Sequence, residues 1–221
     1  MGSLKDIFKK ILDLLFPPRC PFCRAVLKDN ETLLCTECSR SLPRTSPASQ
    51  TQFFRHIDVC FSPLFYEGNV RRSLLRYKFG GLSVYAPKYA SLMADCLEMK
   101  APPFDVITWA PLGRKRLKKR GYDQARLLAE ELSRLLHKPC RQLLFKAIEN
   151  PPQSGTGSAE KRKANVSGVY RVTDARFVKG TRVLLVDDIV TTGATLSECA
   201  GTLKAAGAVS VCAVTLARTK Q

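Results

Sequence analysis

The stretch Val183-Leu184-Leu185-Val186-Asp187-Asp188-Ile189-Val190-Thr191-Thr192-Gly193-Ala194-Thr195 constrains this chain more than any other. Its four leading apolar residues suit a strand buried on both faces, as in a parallel sheet. Two adjacent carboxylates then fall at the C-terminal end, where open α/β sheets bind ligands. Small, hydroxylic residues with one glycine follow and lead into a helix predicted from Thr195 to Ala206. Amide groups at a helix N-terminus carry partial positive charge and suit a phosphate. Gly193 lets the backbone come close, and Thr191, Thr192 and Thr195 add hydroxyls. Twin acids would repel a phosphate alone. They make sense if the ligand also carries a neutral diol that donates to them, with Mg²⁺ offsetting the charge. The pattern therefore reads as ribose followed by a 5-phosphate.

The segment resembles the signature of type I phosphoribosyltransferases, which bind 5-phosphoribosyl-1-diphosphate (PRPP). The resemblance implies that Asp187 and Asp188 hold the ribose hydroxyls. It implies that Val190, Thr191, Thr192, Gly193, Ala194 and Thr195 form the 5-phosphate loop, and that Mg²⁺ accompanies PRPP. Purine-salvage members carry an acid where this chain has Thr191, so a carboxylate general base is not expected here. Displacement of diphosphate at C1, driven by positioning and charge stabilisation, stays available.

A second cluster runs Trp109-Ala110-Pro111-Leu112-Gly113-Arg114-Lys115-Arg116-Leu117-Lys118-Lys119-Arg120-Gly121, with six basic residues within seven. The buried strand Val106–Ala110 is expected to run into a basic loop. By position in a type I transferase, Pro111, Leu112, Gly113 and Arg114 correspond to the diphosphate loop. Lys115, Arg116, Lys118, Lys119 and Arg120 exceed what one diphosphate needs and suit a longer polyanion. The segment 151–166 resembles the flexible active-site loop, and Lys161, Arg162 and Lys163 would close over a diphosphate. Across the chain 36 Lys and Arg stand against 19 acids, a formal charge of +17, which points to a polyanionic ligand.

Cys20-Pro21-Phe22-Cys23 and Cys35-Thr36-Glu37-Cys38 form two CxxC pairs. Four thiolates at this spacing can surround Zn²⁺ tetrahedrally, and a closed shell of that kind is structural. Residues 20–42 are too short to build a core unaided and need such a staple. The other cysteines, Cys60, Cys96, Cys140, Cys199 and Cys212, lie in apolar stretches and read as small buried hydrophobes. Reduced thiols and the want of a signal peptide or long apolar run suggest a cytoplasmic protein.

The remaining chain divides as follows. Leu4, Ile7, Phe8, Ile11, Leu12 and Leu15 have helical spacing, with Lys5, Lys9 and Lys10 opposite. This amphipathic helix, within residues 1–17, either packs on the protein or associates peripherally with a membrane. A zinc module spans 18–42 and residues 43–55 read as a linker. From 56 to 221 strands alternate with helices, predicting an α/β fold with a mostly parallel sheet flanked by helices. Helices are expected over 70–79, 86–99 and 122–137.

The combination resembles the ComF family of bacterial competence proteins over nearly the whole chain. It rests on the cysteine pairs, Tyr66-Glu67-Gly68, Arg120-Gly121-Tyr122-Asp123-Gln124-Ala125, Gln153-Ser154 and the loop after Asp188. The resemblance implies handling of incoming single-stranded DNA in natural transformation, with contacts to the DNA-uptake machinery. Trp109, Tyr122 and Phe22 are the aromatic residues considered for base stacking. The alternative is a working phosphoribosyltransferase with an unidentified acceptor.

Overall fold

The computed structural model describes residues 16–98, 101–148 and 168–220. The amphipathic helix expected before residue 16 and the loop bearing Lys161, Arg162 and Lys163 lie outside the described residues.

A six-stranded sheet forms the centre. Its strands are β1 (Thr51–Phe54), β2 (Ile57–Phe61), β3 (Leu64–Phe65), β4 (Val106–Trp109), β7 (Arg182–Val190) and β8 (Ser210–Arg218). The order is β1-β2-β8-β7-β4, with β3 continuing beside β8 beyond the Ser62-Pro63 break. Only β1 runs antiparallel within this sheet. Val183 faces Val211 across one seam, and Val106 faces Val183 across the other.

The apolar run in β7 has a direct cause. Leu184 and Val186 pack into one core, Val183 and Leu185 into the other. A strand covered on both faces gains burial from every residue, so its sequence does not alternate. On the first face lie helices α2 (Gly68–Phe79), α3 (Ala86–Glu98) and α5 (Gln124–Leu136), through Leu74, Tyr77, Met93, Leu128 and Leu132. On the second lies helix α7 (Ala194–Ala205), through Leu196, Cys199 and Leu203. A separate two-stranded ribbon pairs β5 (Leu144–Lys146) with β6 (Tyr170–Val172).

Two expectations need correction. Residues 43–55 are not a plain linker: Thr51–Phe54 forms the edge strand β1, joined to β2 by the turn Arg55-His56. Residues 114–120 are not a loop but a helix, α4 (Arg114–Arg120), bounded by Gly113 and by Gly121 in the left-handed conformation (φ 80°). Lys118, Lys119 and Arg120 sit in its last turn, where the negative end of the helix dipole favours cations. None of its residues is buried.

The cysteine module packs on this body rather than standing apart. Cys20, Phe22, Leu27 and Cys38 share the core of α2 and α3. The Phe22 and Tyr89 rings lie 5.7 Å apart, and Arg76 Nη2 donates to the Phe22 carbonyl at 2.7 Å. Ser73 Oγ donates to the Pro21 carbonyl.

Candidate functional site

Three C-terminal strand ends and their following segments enclose a cleft of about 410 Å³. Strand β7 supplies its floor. Pairing with β8 continues through Asp187↔Thr215 to Val190↔Arg218, so both acids belong to the strand itself. The loop that follows is shorter than the sequence suggests, because α7 starts at Ala194. Gly193 turns the chain with φ 72° as the residue before that helix. A Cβ there would run into the ring of Phe54, the last residue of β1. The edge strand thus closes over the turn at the one position where glycine leaves room.

Asp187, Asp188, Val190, Thr191, Thr192, Gly193, Ala194 and Thr195 all line the cleft. Pro111, Leu112 and Gly113 line the opposite wall, while Arg114 does not. Of the basic run, Arg116 and Arg120 line the cleft; Lys115, Lys118 and Lys119 are exposed outside it. One side of the basic helix, carrying Arg116 and Arg120 at i,i+4 spacing, therefore faces the same space as the acids.

The two acids differ in environment. Asp188 is 6% exposed and pairs with Lys78, whose Nζ lies 2.9 Å from Oδ1. Burial pulls the Lys78 ammonium down, but the Asp188 charge and hydrogen bond outweigh it and raise its pKa. Among the described residues no ion pair to Asp187 is formed. Burial and the adjacent Asp188 charge push its carboxyl up to about 8. Its Oδ1 accepts the Asp188 amide at 2.7 Å. A carboxyl held so far above its usual range in a cleft is a candidate functional group.

Asp123 ties the opposite wall together. It caps α5 by accepting from the amides of Ala125 (3.1 Å) and Arg126 (3.2 Å), and it accepts from the Leu112 amide at 2.9 Å. One carboxylate thus fixes both the start of that helix and the turn Pro111-Leu112-Gly113. Burial raises its pKa despite these donors.

Several lining residues were given no site role from the sequence: Tyr66 and Asp123, which carried only the family resemblance, and Lys78, Lys146 and Tyr170. Asp123 had a readable signal, since an aspartate just before a helical run is an N-cap.

The four cysteines of the N-terminal module gather into one cluster, their Sγ atoms all within 4.8 Å of one another. Cys23 and Cys35 approach to 3.5 Å. A tetrahedral site with Zn–S distances of about 2.3 Å has sulfur–sulfur edges of about 3.8 Å, so the donor set fits Zn²⁺. Burial raises the Cys20 thiol, but backbone amides at Cys23, Cys35 and Phe22 overcome this and bring it to about 7. Amides aimed at sulfur favour the thiolate that a metal requires. The cluster belongs to a zinc ribbon and is structural in kind, having four protein donors and three of its cysteines buried.

No helix among the described residues is long and apolar enough to cross a membrane.

Comparison with known proteins agrees with this layout. Residues 11–50 match the double zinc ribbon domain and residues 122–221 the phosphoribosyl transferase domain. Competence protein ComFC of Bacillus subtilis (strain 168) is 29% identical over 225 residues, covering 97% of this chain and 90% of that protein. DNA utilization protein YhgH of Escherichia coli (strain K12) is 37% identical over 118 residues, 52% of this chain and 50% of that protein. Competence protein F of Haemophilus influenzae is 33% identical over 111 residues, 50% of this chain and 48% of that protein. The match thus spans about half the length of the latter two relatives. A zinc ribbon thus precedes a phosphoribosyl transferase domain, and with a likeness to a competence protein running nearly end to end the chain is similar to the ComF family.

Proposed function

We propose that this protein handles incoming single-stranded DNA during natural transformation, and that it binds PRPP with Mg²⁺ in the cleft between β7 and the basic helix. The observation that carries the reading is the meeting of Asp187, Asp188 and the Thr191–Thr195 turn with Arg116 and Arg120 in one cleft. In this reading Asp187 and Asp188 accept from the ribose hydroxyls. The amides and hydroxyls of residues 190–195 take the 5-phosphate, and Pro111, Leu112 and Gly113, without the Arg114 expected from the sequence, take the diphosphate, joined by Lys161, Arg162 and Lys163. Mg²⁺ would offset the repulsion between phosphates and the carboxylates that line the cleft, which are hard oxygen donors suited to it.

The names of the relatives, which concern competence and DNA utilization, support the DNA side. The charge of +17 supports it too, because a strong positive field draws in polyanions. Lys115, Lys118, Lys119 and the two arginines offer phosphate contacts along an exposed helix. On this reading the protein works on the cytoplasmic side of the DNA-uptake machinery.

Titration of the full chain with labelled PRPP and labelled single-stranded DNA, separately and together, tests the proposal. The double variant Asp187→Asn/Asp188→Asn is expected to lose PRPP while keeping DNA. Normal PRPP binding by that variant would overturn the site. Release of diphosphate from PRPP when DNA, free bases or ammonia are supplied would instead favour a transferase with its own acceptor.

A further inference from the structure

Phe79 ends helix α2 and is 67% exposed. A single open phenylalanine means little by itself. What sets Phe79 apart is its neighbour: the Arg120 guanidinium lies 5.0 Å over its ring centroid. Cations also lie over Phe65, Phe104, Trp109 and Phe177, but among the described residues only Phe79 in this group is exposed.

The position is equally particular. Lys78, one residue earlier, turns into the cleft to reach Asp188. Arg120 lines that cleft and also donates to Gln124 Oε1 at 2.8 Å. It is the last residue of the basic helix. An aromatic face, a planar cation and a row of cationic side chains therefore adjoin the rim of the cleft. The aromatic residues considered from the sequence do not offer this. Phe22 is fully buried and Trp109 is 7% exposed. Tyr122 packs its ring 6.0 Å from Tyr77 and donates its hydroxyl to the Tyr77 carbonyl.

We propose that Phe79 and Arg120 form a stacking platform for one unpaired base of single-stranded DNA, with the strand's phosphates following the helix Arg114–Arg120. The inference rests on the DNA reading given above and adds the place where a base is held. Every base presents a π-face, so the contact is tolerant of sequence and favours single strands, whose bases are free to leave the stack. The guanidinium adds cation–π attraction on the same surface.

The test uses the full chain and a thymidine oligonucleotide carrying one 2-aminopurine, whose fluorescence falls when it stacks. Wild type is compared with Phe79→Ala, Phe79→Leu and Phe79→Trp, each checked for fold by PRPP titration. Wild type and Phe79→Trp are expected to quench the probe. Phe79→Ala and Phe79→Leu are expected to lose the quench and bind about tenfold more weakly. The dependence of affinity on salt is expected to stay the same, because no phosphate contact is removed. Undiminished quenching by Phe79→Ala, or full affinity in Phe79→Leu, would overturn the platform alone. Failure of wild type to bind the oligonucleotide would overturn the DNA reading with it.

Discussion

Lys78 Nζ and the Asp188 carboxylate meet at 2.9 Å across the cleft, joining the end of one helix to the end of a central strand. Both side chains are largely buried, at 20% and 8% exposure. Removing either partner leaves a charge with little water and no counter-charge in contact. Lys78→Ala is therefore expected to lower stability by about 3 kcal/mol in denaturant unfolding. Combined with Asp188→Ala, the loss should be clearly smaller than the sum of the single losses. Strict additivity would show that the pair is not coupled.

Asp187 gives stability a pH dependence of known sign. Its carboxyl titrates near 8 in the folded chain, against an ordinary value of 3.8. Between those values the folded state holds a proton that the unfolded state has released. Asp187 therefore weakens folding as pH rises from about 4 to about 8. Replacement by Asn removes the ionising group. Relative to wild type, Asp187→Asn should gain stability progressively across that window and little below it. Melting curves at pH 5, 6.5 and 8 would check this; a constant offset between the two proteins contradicts it.

Gly193 combines a left-handed backbone (φ 72°) with the Phe54 ring lying where a Cβ would go. Gly193→Ala should cost at least about 1 kcal/mol from the backbone term alone, with the ring clash in addition. Adding Phe54→Ala should recover the clash but not the backbone cost. Thermal unfolding of the single and double variants distinguishes the two contributions. No recovery on adding Phe54→Ala would mean that the ring does not constrain the turn.

The zinc cluster should stabilise more than its own loop. Pro21 and Phe22 accept hydrogen bonds from Ser73 and Arg76 of α2, and Phe22 is part of that helix's core. Cys20→Ser is expected to lose bound zinc, lower the melting temperature and raise amide exchange along residues 68–79. Full zinc content, or exchange confined to residues 20–42, would contradict this.

How much of this was legible depended on where each residue's partners lie. The strand Val183–Val186 showed itself because burial on both faces removes alternation. The zinc ligands showed themselves because their spacing is local. The helix Arg114–Arg120 was hidden by its charge: a run of like cations reads as a solvated loop, and its glycine boundaries at 113 and 121 were the better guide. Strand Thr51–Phe54 was hidden because an edge strand is defined by pairing, here through a tight turn at Arg55-His56 with His56 left-handed (φ 66°). Lys78 was hidden because its partner is Asp188, distant in the chain and met only after the sheet assembles. Asp187 and Asp188 could be picked out as a pair, but their unequal surroundings could not, since these come from burial and from the contact of Lys78 with Asp188.

Strand β8 has one further consequence. It follows every other described strand in the chain, yet it lies between β2 and β7 and joins the two sides of the sheet. During synthesis the earlier strands wait as two unjoined halves with open edges. Assembly of the sheet is thus deferred until residues 210–218 leave the ribosome, and a chain stalled before them would expose open edges prone to pair with another copy.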